Sequence, residues 1–205
     1  MEFDVTLADI ESARARIAGR VRATPTYVSP GLSARLGVEV VVKMEGLQEA
    51  GSFKVRGCFS KLLTLSPQEL ARGVVTVSGG NHAIAVAKVA QALGTRALVL
   101  TAKTISPFNK RLTEDAGGEV ELCENFVEAF ERAERYGREG MTYVHAYDDP
   151  TLIAGHGTLG LELFEEAGPL THAFVSIGGG GFTAGVAAAL KGRDPRIRVF
   201  GVVTE

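Results

Sequence analysis

Short runs rich in Val, Leu and Ile at 74–77, 97–100, 119–122, 173–177 and 197–203 alternate with helical patterns at 81–93, 107–115, 126–138, 152–166 and 182–190. Several of these runs are apolar at consecutive positions and do not alternate with polar residues. A strand of that kind needs both of its faces covered, which parallel sheets clothed by helices provide. The fold expected is therefore α/β, three-layer, with mostly parallel sheets. The first part of the chain reads differently. Thr6 and Asp9 form a capping box that opens a helix ending near Gly19, Pro25 keeps 22–26 extended, and a short helix at 30–36 precedes a strand at 38–44. A further helix follows Gly51 and runs to about Leu65.

The 205 residues are 45% hydrophobic with a formal net charge of −2, enough for one large domain or two small ones around a real core. Basic residues are scattered, and the densest cluster, 132–138, alternates with glutamates like a wet helix face. Nucleic acid and membrane are therefore not expected as partners. Two cysteines, Cys58 and Cys123, with no CxxC pair and no histidine at ligand spacing, argue against a disulfide framework or a metal site. Acidic residues in the first twenty positions and the lack of a long apolar run fit a soluble, cytoplasmic protein. The softest joint is Asp148-Asp149-Pro150. It suggests one unit over 50–149, with 1–49 and 150–205 joining in a second unit that shares a sheet.

Three segments carry chemistry. In Ser52-Phe53-Lys54-Val55-Arg56-Gly57 a lysine sits beside an aromatic ring at the mouth of a helix, where partial desolvation lowers the pKa of an amine and prepares it for a carbonyl. In Gly178-Gly179-Gly180-Gly181-Phe182 four glycines leave a strand and enter a helix, so that successive N–H groups and the helix N-terminus favour a phosphate. In Ser78-Gly79-Gly80-Asn81-His82 a second strand-to-helix turn offers N–H groups and a hydroxyl to a carboxylate, and an Asn81 amide to a hydroxyl or phenolate oxygen. The side chain of His82 reads as a packed or cap-associated histidine before it reads as a base. A competing reading exists for the glycines. Gly179, Gly181 and Ala184 also fit a dinucleotide fingerprint, with Glu205 at the place of a ribose-binding acid, as in an NAD(P)-binding oxidoreductase. That reading leaves Lys54 and Asn81 without a task. An activated lysine, a phosphate cradle and a carboxylate turn together describe a pyridoxal 5'-phosphate site for an amino acid.

At these residues the chain resembles the serine/threonine dehydratase (threonine deaminase) and serine racemase family, the fold-type II pyridoxal-phosphate enzymes. The likeness runs through Thr24-Pro25, Lys43 to Gln48, Gly51 to Gly57, Ser78 to His82, Asp148 to Gly155 and Gly178 to Gly181. It implies a two-domain, tryptophan synthase β-subunit-like architecture whose large domain is incomplete here, since the family is longer and its C-terminal part supplies the residue facing the pyridine nitrogen. It implies Lys54 as the catalytic Schiff-base lysine, and Phe53, Asn81 and Gly178, Gly179, Gly180, Gly181 and Phe182 as cofactor contacts. Ser78, Gly79, Gly80, Asn81 and His82 would line the substrate, and a homo-oligomer is implied.

The activity implied is β-elimination from L-threonine, L-serine or a related hydroxy-amino acid to a 2-oxo acid and ammonia. Cysteine synthase-like β-replacement, racemisation and a catalytically silent binding subunit are the rivals. Gly79 stands where racemases carry a proton-shuttling serine, which counts against racemisation. His156 stands where the family often has Gln, and Ile84 and Ala85 replace a Gln pair, which suggests altered substrate choice. Val203 replaces the Glu of metal-activated members, so no metal site is carried over.

Overall fold

The computed structural model describes residues 5–203. In chain order they form α1 (Leu7–Ile17), β1 (Thr26–Val28), α2 (Pro30–Leu36), β2 (Val41–Lys43), a 3-10 turn (Glu45–Leu47), α3 (Lys54–Leu62), α4 (Pro67–Arg72), β3 (Val74–Val77) and α5 (Asn81–Ala92). There follow β4 (Ala97–Ala102), α6 (Pro107–Asp115), β5 (Glu119–Cys123), α7 (Phe126–Arg138), β6 (Thr142–Tyr143), α8 (Pro150–Glu166), β7 (His172–Ser176), α9 (Gly181–Arg193) and β8 (Arg198–Val202).

A parallel sheet ordered β5-β4-β3-β6 occupies the middle of the chain. Every residue of β3 and β4 is buried, because successive side chains find helices on opposite faces. Val74 and Ala97 pack with Val55 and Leu62 of α3 and with Val86 and Val89 of α5. Val75, Val77, Leu98 and Leu100 pack with Ala129 and Ala133 of α7 on the other side. This is the three-layer α/β arrangement anticipated from the unbroken apolar runs. From β3 the chain crosses to β4 and β5 on one side, and it returns to β6 on the other. The crevice beyond the carboxyl ends of β3 and β6 is thus a topological switch point, the place where open α/β sheets receive ligands.

The flanking segments do not share a sheet, contrary to the expectation for 1–49 and 150–205. Among the described residues β1 pairs antiparallel with β2, while β7 pairs in parallel with β8 as a separate unit. What joins them is α8. Gly157 of this helix leaves no room for a side chain against Ile10 of α1 and the Gly185 carbonyl of α9, so three helices approach closely. Among the elements that escaped the sequence reading are α4 and β6. α4 is announced by a Ser66/Glu69 capping box with Pro67 at its first position, and β6 is two residues long.

The Lys54 helix is anchored by charge. The Arg56 guanidinium is fully buried and bidentate to Glu45 (2.9 and 2.8 Å) and to Glu162 (2.6 and 2.8 Å). Lys43 forms an ion pair with Glu162 at 2.8 Å and donates to Glu166 at 2.9 Å and to the Thr24 carbonyl at 2.6 Å. The network binds β2 and the 3-10 turn to α3 and α8. Replacing Arg56 by Met takes the guanidinium from two largely buried carboxylates, of which Glu162 keeps Lys43, and we expect a loss of about 3 kcal/mol in urea unfolding. Adding Glu45→Gln and Glu162→Gln should recover part of that loss; a triple variant no more stable than the single one would contradict the account.

Candidate active site

Lys54 is the first residue of α3, and its amine donates to the Ala146 carbonyl at 2.6 Å. The Nζ lies 5.4 Å from the centroid of the Phe53 ring, and among the described residues no carboxylate forms an ion pair with it. Burial pushes its pKa below the ordinary lysine value. Arg56, two residues on, faces the opposite way with both of its carboxylates, and their hydrogen bonds outweigh the cost of burial and raise its pKa.

The glycine segment leaves β7 and starts α9. The Ile177 N–H still bonds to the Val202 carbonyl at 2.8 Å, and beyond it the strand pairing stops. Among the described residues, the N–H groups of Gly178 to Phe182 donate to no protein acceptor. Gly180 takes φ +90°, a conformation that glycine alone adopts without strain, and it starts α9 with no side-chain cap. The glycines have separate reasons to be glycine. A Cβ on Gly179 would clash with the Tyr147 ring and one on Gly181 would overlap the Tyr147 carbonyl, whereas Gly178 and Gly180 border open space. Close approach and a left-handed turn therefore account for three of the four positions. The anion-binding potential lies in the unpaired N–H groups and not in the count of glycines. The Phe182 ring stacks on Phe53 at 3.7 Å between centroids and 15° between planes, which joins the lysine segment to the glycine segment.

The Ser78 turn stands at the carboxyl end of β3 and opens α5, again without a side-chain cap. Its details differ from the expectation. The Ser78 hydroxyl accepts the Gly80 N–H at 3.2 Å, so that one donor is already spent, and the Gly79 carbonyl accepts from the Asn109 amide at 2.9 Å. Asn81 is exposed at the first position of the helix. Asn81 and His82 offer N–H groups with no protein acceptor among the described residues. The His82 ring is buried and points inward, with Nε2 3.3 Å from the Val144 carbonyl and Nδ1 3.8 Å from the Cys58 sulfur. A carbonyl can only accept, so the proton sits on Nε2 and the thiol donates to Nδ1. Burial, then the charge of Lys54, lowers the His82 pKa to about 3, and burial pushes Cys58 up to about 12. The only part of His82 open to a ligand is its backbone.

The sequence reading passed over the segment after β6. Val144 receives His82, the Ala146 carbonyl receives Lys54, and Tyr147 lies against Gly179 and Gly181. A His-Ala-Tyr stretch between an apolar run and the Asp149 cap of α8 was the available signal, since it ends a parallel strand. His156, also outside the reading's site, is fully buried on α8 beside Phe53 (5.0 Å between centroids, 84°), and neither ring nitrogen has a partner among the described residues. A Cβ on Gly57 would collide with its ring. Ser52 Oγ and Thr101 Oγ1 are likewise buried without partners.

A desolvated amine, a row of N–H groups without protein acceptors among the described residues and a capless helix start converge at one switch point. That combination suits the chemistry of a small molecule bearing a carbonyl and an anion. The chain belongs to the family of pyridoxal-phosphate dependent enzymes, whose model matches residues 17–205. It is 41% identical over 204 residues to the L-threonine ammonia-lyase of Thermotoga maritima, covering 98% of this chain and 51% of that protein. It is 42% identical over 200 residues to the phenylserine dehydratase of Ralstonia pickettii, covering 97% of this chain and 61% of that one. Among solved structures, maize serine racemase superposes with a TM-score of 0.94 at 32% identity, covering 97% of this chain and 61% of that one. The chain thus spans between half and two thirds of the length of these relatives. Glu205, the acid that the dinucleotide reading requires, lies outside the described residues. No helix among the described residues is long and apolar enough to cross a membrane.

The residues present fit pyridoxal phosphate. Among the described residues Lys54 has no counter-ion and could meet an aldehyde, and the N–H groups of Gly178 to Phe182 have no protein acceptor and could meet a phosphate. The two buried imidazoles generate a prediction about acid. Both stay neutral in the folded protein, while in the unfolded chain each takes up a proton near its ordinary value of 6.5. Stability is therefore full above that value and falls as the pH drops below it, by up to about 1.4 kcal/mol per pH unit for each histidine until the native pKa is reached. His156→Gln should flatten the decline of urea stability between about pH 6 and 4. An unaltered slope would show that His156 is not held neutral.

Proposed function

We propose that this chain carries the lysine and the cofactor-holding part of an ammonia-lyase acting on an amino acid with a hydroxyl on its β-carbon, L-threonine or L-serine. The observation that carries the proposal is Lys54: a desolvated amine without a carboxylate, resting on the Ala146 carbonyl at a sheet switch point. The names of the two relatives support the substrate class, because threonine and phenylserine both bear a β-hydroxyl. The domain division belongs to the same proposal. In it the stretch 50–149 holds the four-stranded sheet with its helices α3 to α7, and the flanking stretches 1–49 and 150–205 contribute α1, α2, α8, α9 and the two smaller sheets.

When bound, pyridoxal phosphate supplies a carbonyl for the amine and an electron sink that eases removal of the substrate's α-proton. The N–H groups of Gly178 to Phe182 would hold its phosphate, and the Asn81 amide its ring oxygen. The capless start of α5, with the Ser78 hydroxyl beside it, would hold the substrate carboxylate. Lys54 takes the α-proton at Nζ. Its lowered pKa keeps more of the amine in the free-base form near neutrality, and the Ala146 carbonyl stands ready to accept from the resulting ammonium. The Phe53–Phe182 stack beside it excludes water. The β-hydroxyl departs as water, a second water later brings the 2-oxo oxygen, and ammonia leaves. Racemisation needs a second acid–base group on the opposite side of the α-carbon, and Gly79 brings no hydroxyl to the turn.

Lys54→Ala should abolish the lysine-dependent absorbance of the bound cofactor and lower 2-oxo acid formation from L-threonine and L-serine by at least about 10²- to 10⁴-fold. Retained turnover in that variant would end the proposal. Preference for O-acetylserine plus sulfide would replace elimination by β-replacement, and loss of optical rotation without 2-oxo acid would point to a racemase.

A further inference from the structure

The glycine loop rests on something. Its two glycines without room for a side chain, Gly179 and Gly181, lie against the ring and the carbonyl of one residue, Tyr147, while Gly178 and Gly180 have nothing within 4 Å on their side-chain faces. The loop thus has a floor and an open side. Tyr147 is itself held in place. Its N–H donates to His145 Nδ1 at 3.3 Å, and the Asp148 N–H donates to the same nitrogen at 2.8 Å. Two donors on Nδ1 leave the imidazole proton on Nε2. The His145 ring then stands edge-on to Tyr147 at 4.6 Å and to Tyr143 of β6 at 5.7 Å, so an aromatic series runs from the sheet to the loop. One residue before Tyr147, the Ala146 carbonyl receives the Lys54 amine.

We infer that Tyr147 is a positioning residue for phosphate. Its ring sets the shape in which the N–H groups of Gly178 to Phe182 meet the anion, and its neighbour Ala146 ties that shape to the resting place of the lysine. The inference rests on reading the loop as a phosphate cradle and Lys54 as the amine that takes an aldehyde. Fixed donors gain their strength from alignment, because a hydrogen bond to an anion weakens steeply once its angle is lost. Removing the ring would leave a void beneath Gly179 into which the loop can sag. An aromatic ring that only filled space would matter equally for every ligand. A ring that aligns donors matters for the phosphate alone.

Pyridoxal and pyridoxal phosphate separate these cases, since both offer Lys54 the same aldehyde and only one has a phosphate. Dissociation constants for the two, and for inorganic phosphate as competitor, are measured by titrating the intact apo-protein. Tyr147→Phe should leave all three at their wild-type values. Tyr147→Ala should weaken pyridoxal phosphate and inorganic phosphate by about 10- to 100-fold, the worth of one hydrogen bond to a charged group, and leave pyridoxal unchanged. Tyr147→Leu, which keeps apolar bulk without a planar face, should weaken the same two ligands by a smaller factor and gives the same test if the alanine variant does not fold. Equal weakening of pyridoxal and pyridoxal phosphate, or no change in either, would overturn the inference. A wild-type protein that binds pyridoxal as tightly as its phosphate would instead sink the reading of the loop as a cradle, and this inference with it.

Discussion

A guanidinium with no access to water, gripped on both edges by carboxylates, is the interaction on which this structure turns. Arg56 reaches Glu45 beside β2 and Glu162 on α8, and Lys43 extends the network to Glu166. Such a cluster is weak evidence for net stability, because several ions have been taken out of water to make it. What it supplies is position. Carboxylates from two separate parts of the chain can be satisfied only if α3 lies at one height and one rotation between them. The antiparallel β1–β2 pair shares no strand with the rest of the fold, and it meets α8 through this network and through the Thr26 hydroxyl on Glu166.

Lys54 inherits its surroundings from that anchor. Residues two apart on a helix point about 200° from each other, so fixing Arg56 toward the carboxylates directs Lys54 away from them. The two cations of one short helix therefore meet opposite fates. Arg56 is held charged by the hydrogen bonds it donates to both glutamates, and Lys54 is left with a single carbonyl and a pKa pressed downward by burial. Two titratable neighbours of Lys54 are kept neutral by burial: His82, locked between a thiol and a carbonyl, and His156, with no partner among the described residues. The region is poor in charge because the anchor has gathered the carboxylates elsewhere.

Much of this was legible in the chain itself. Unbroken apolar runs such as Val74 to Val77 announced strands covered on both faces, and the segments around Lys54 and Gly178 marked residues that the Phe53–Phe182 stack brings together. The helix α4 was equally legible from Ser66-Pro67 and Glu69 and was passed over. The partition of strands among sheets was not legible, because it depends on pairings between distant segments that leave no local mark. Tyr147 was hidden for a similar reason. Nothing near it in the chain predicts that Gly179 and Gly181, more than thirty residues on, will lie against it, and their glycines had been credited to the anion alone. The inward turn of His82 also follows from tertiary packing, through Cys58 and Val144.

Like α3, which starts at Lys54 without a side-chain cap, two further helices at the site begin at Gly80 and Gly180 with no side chain to cap them. By contrast α1, α4, α6, α7 and α8 are finished by Thr6, Ser66, Ser106, Asn125 and Asp149. A good cap is worth about 1 kcal/mol, and two are withheld here. The fold thus keeps a portion of its own stability unspent and leaves it to be completed from outside. Any anion that settles at these helix starts acts as the missing cap, and by mass action it stabilises the folded form in proportion to the logarithm of its concentration. Occupancy and folding become two views of one equilibrium, so the empty protein would be the softer one, and softest at the mouth of the site.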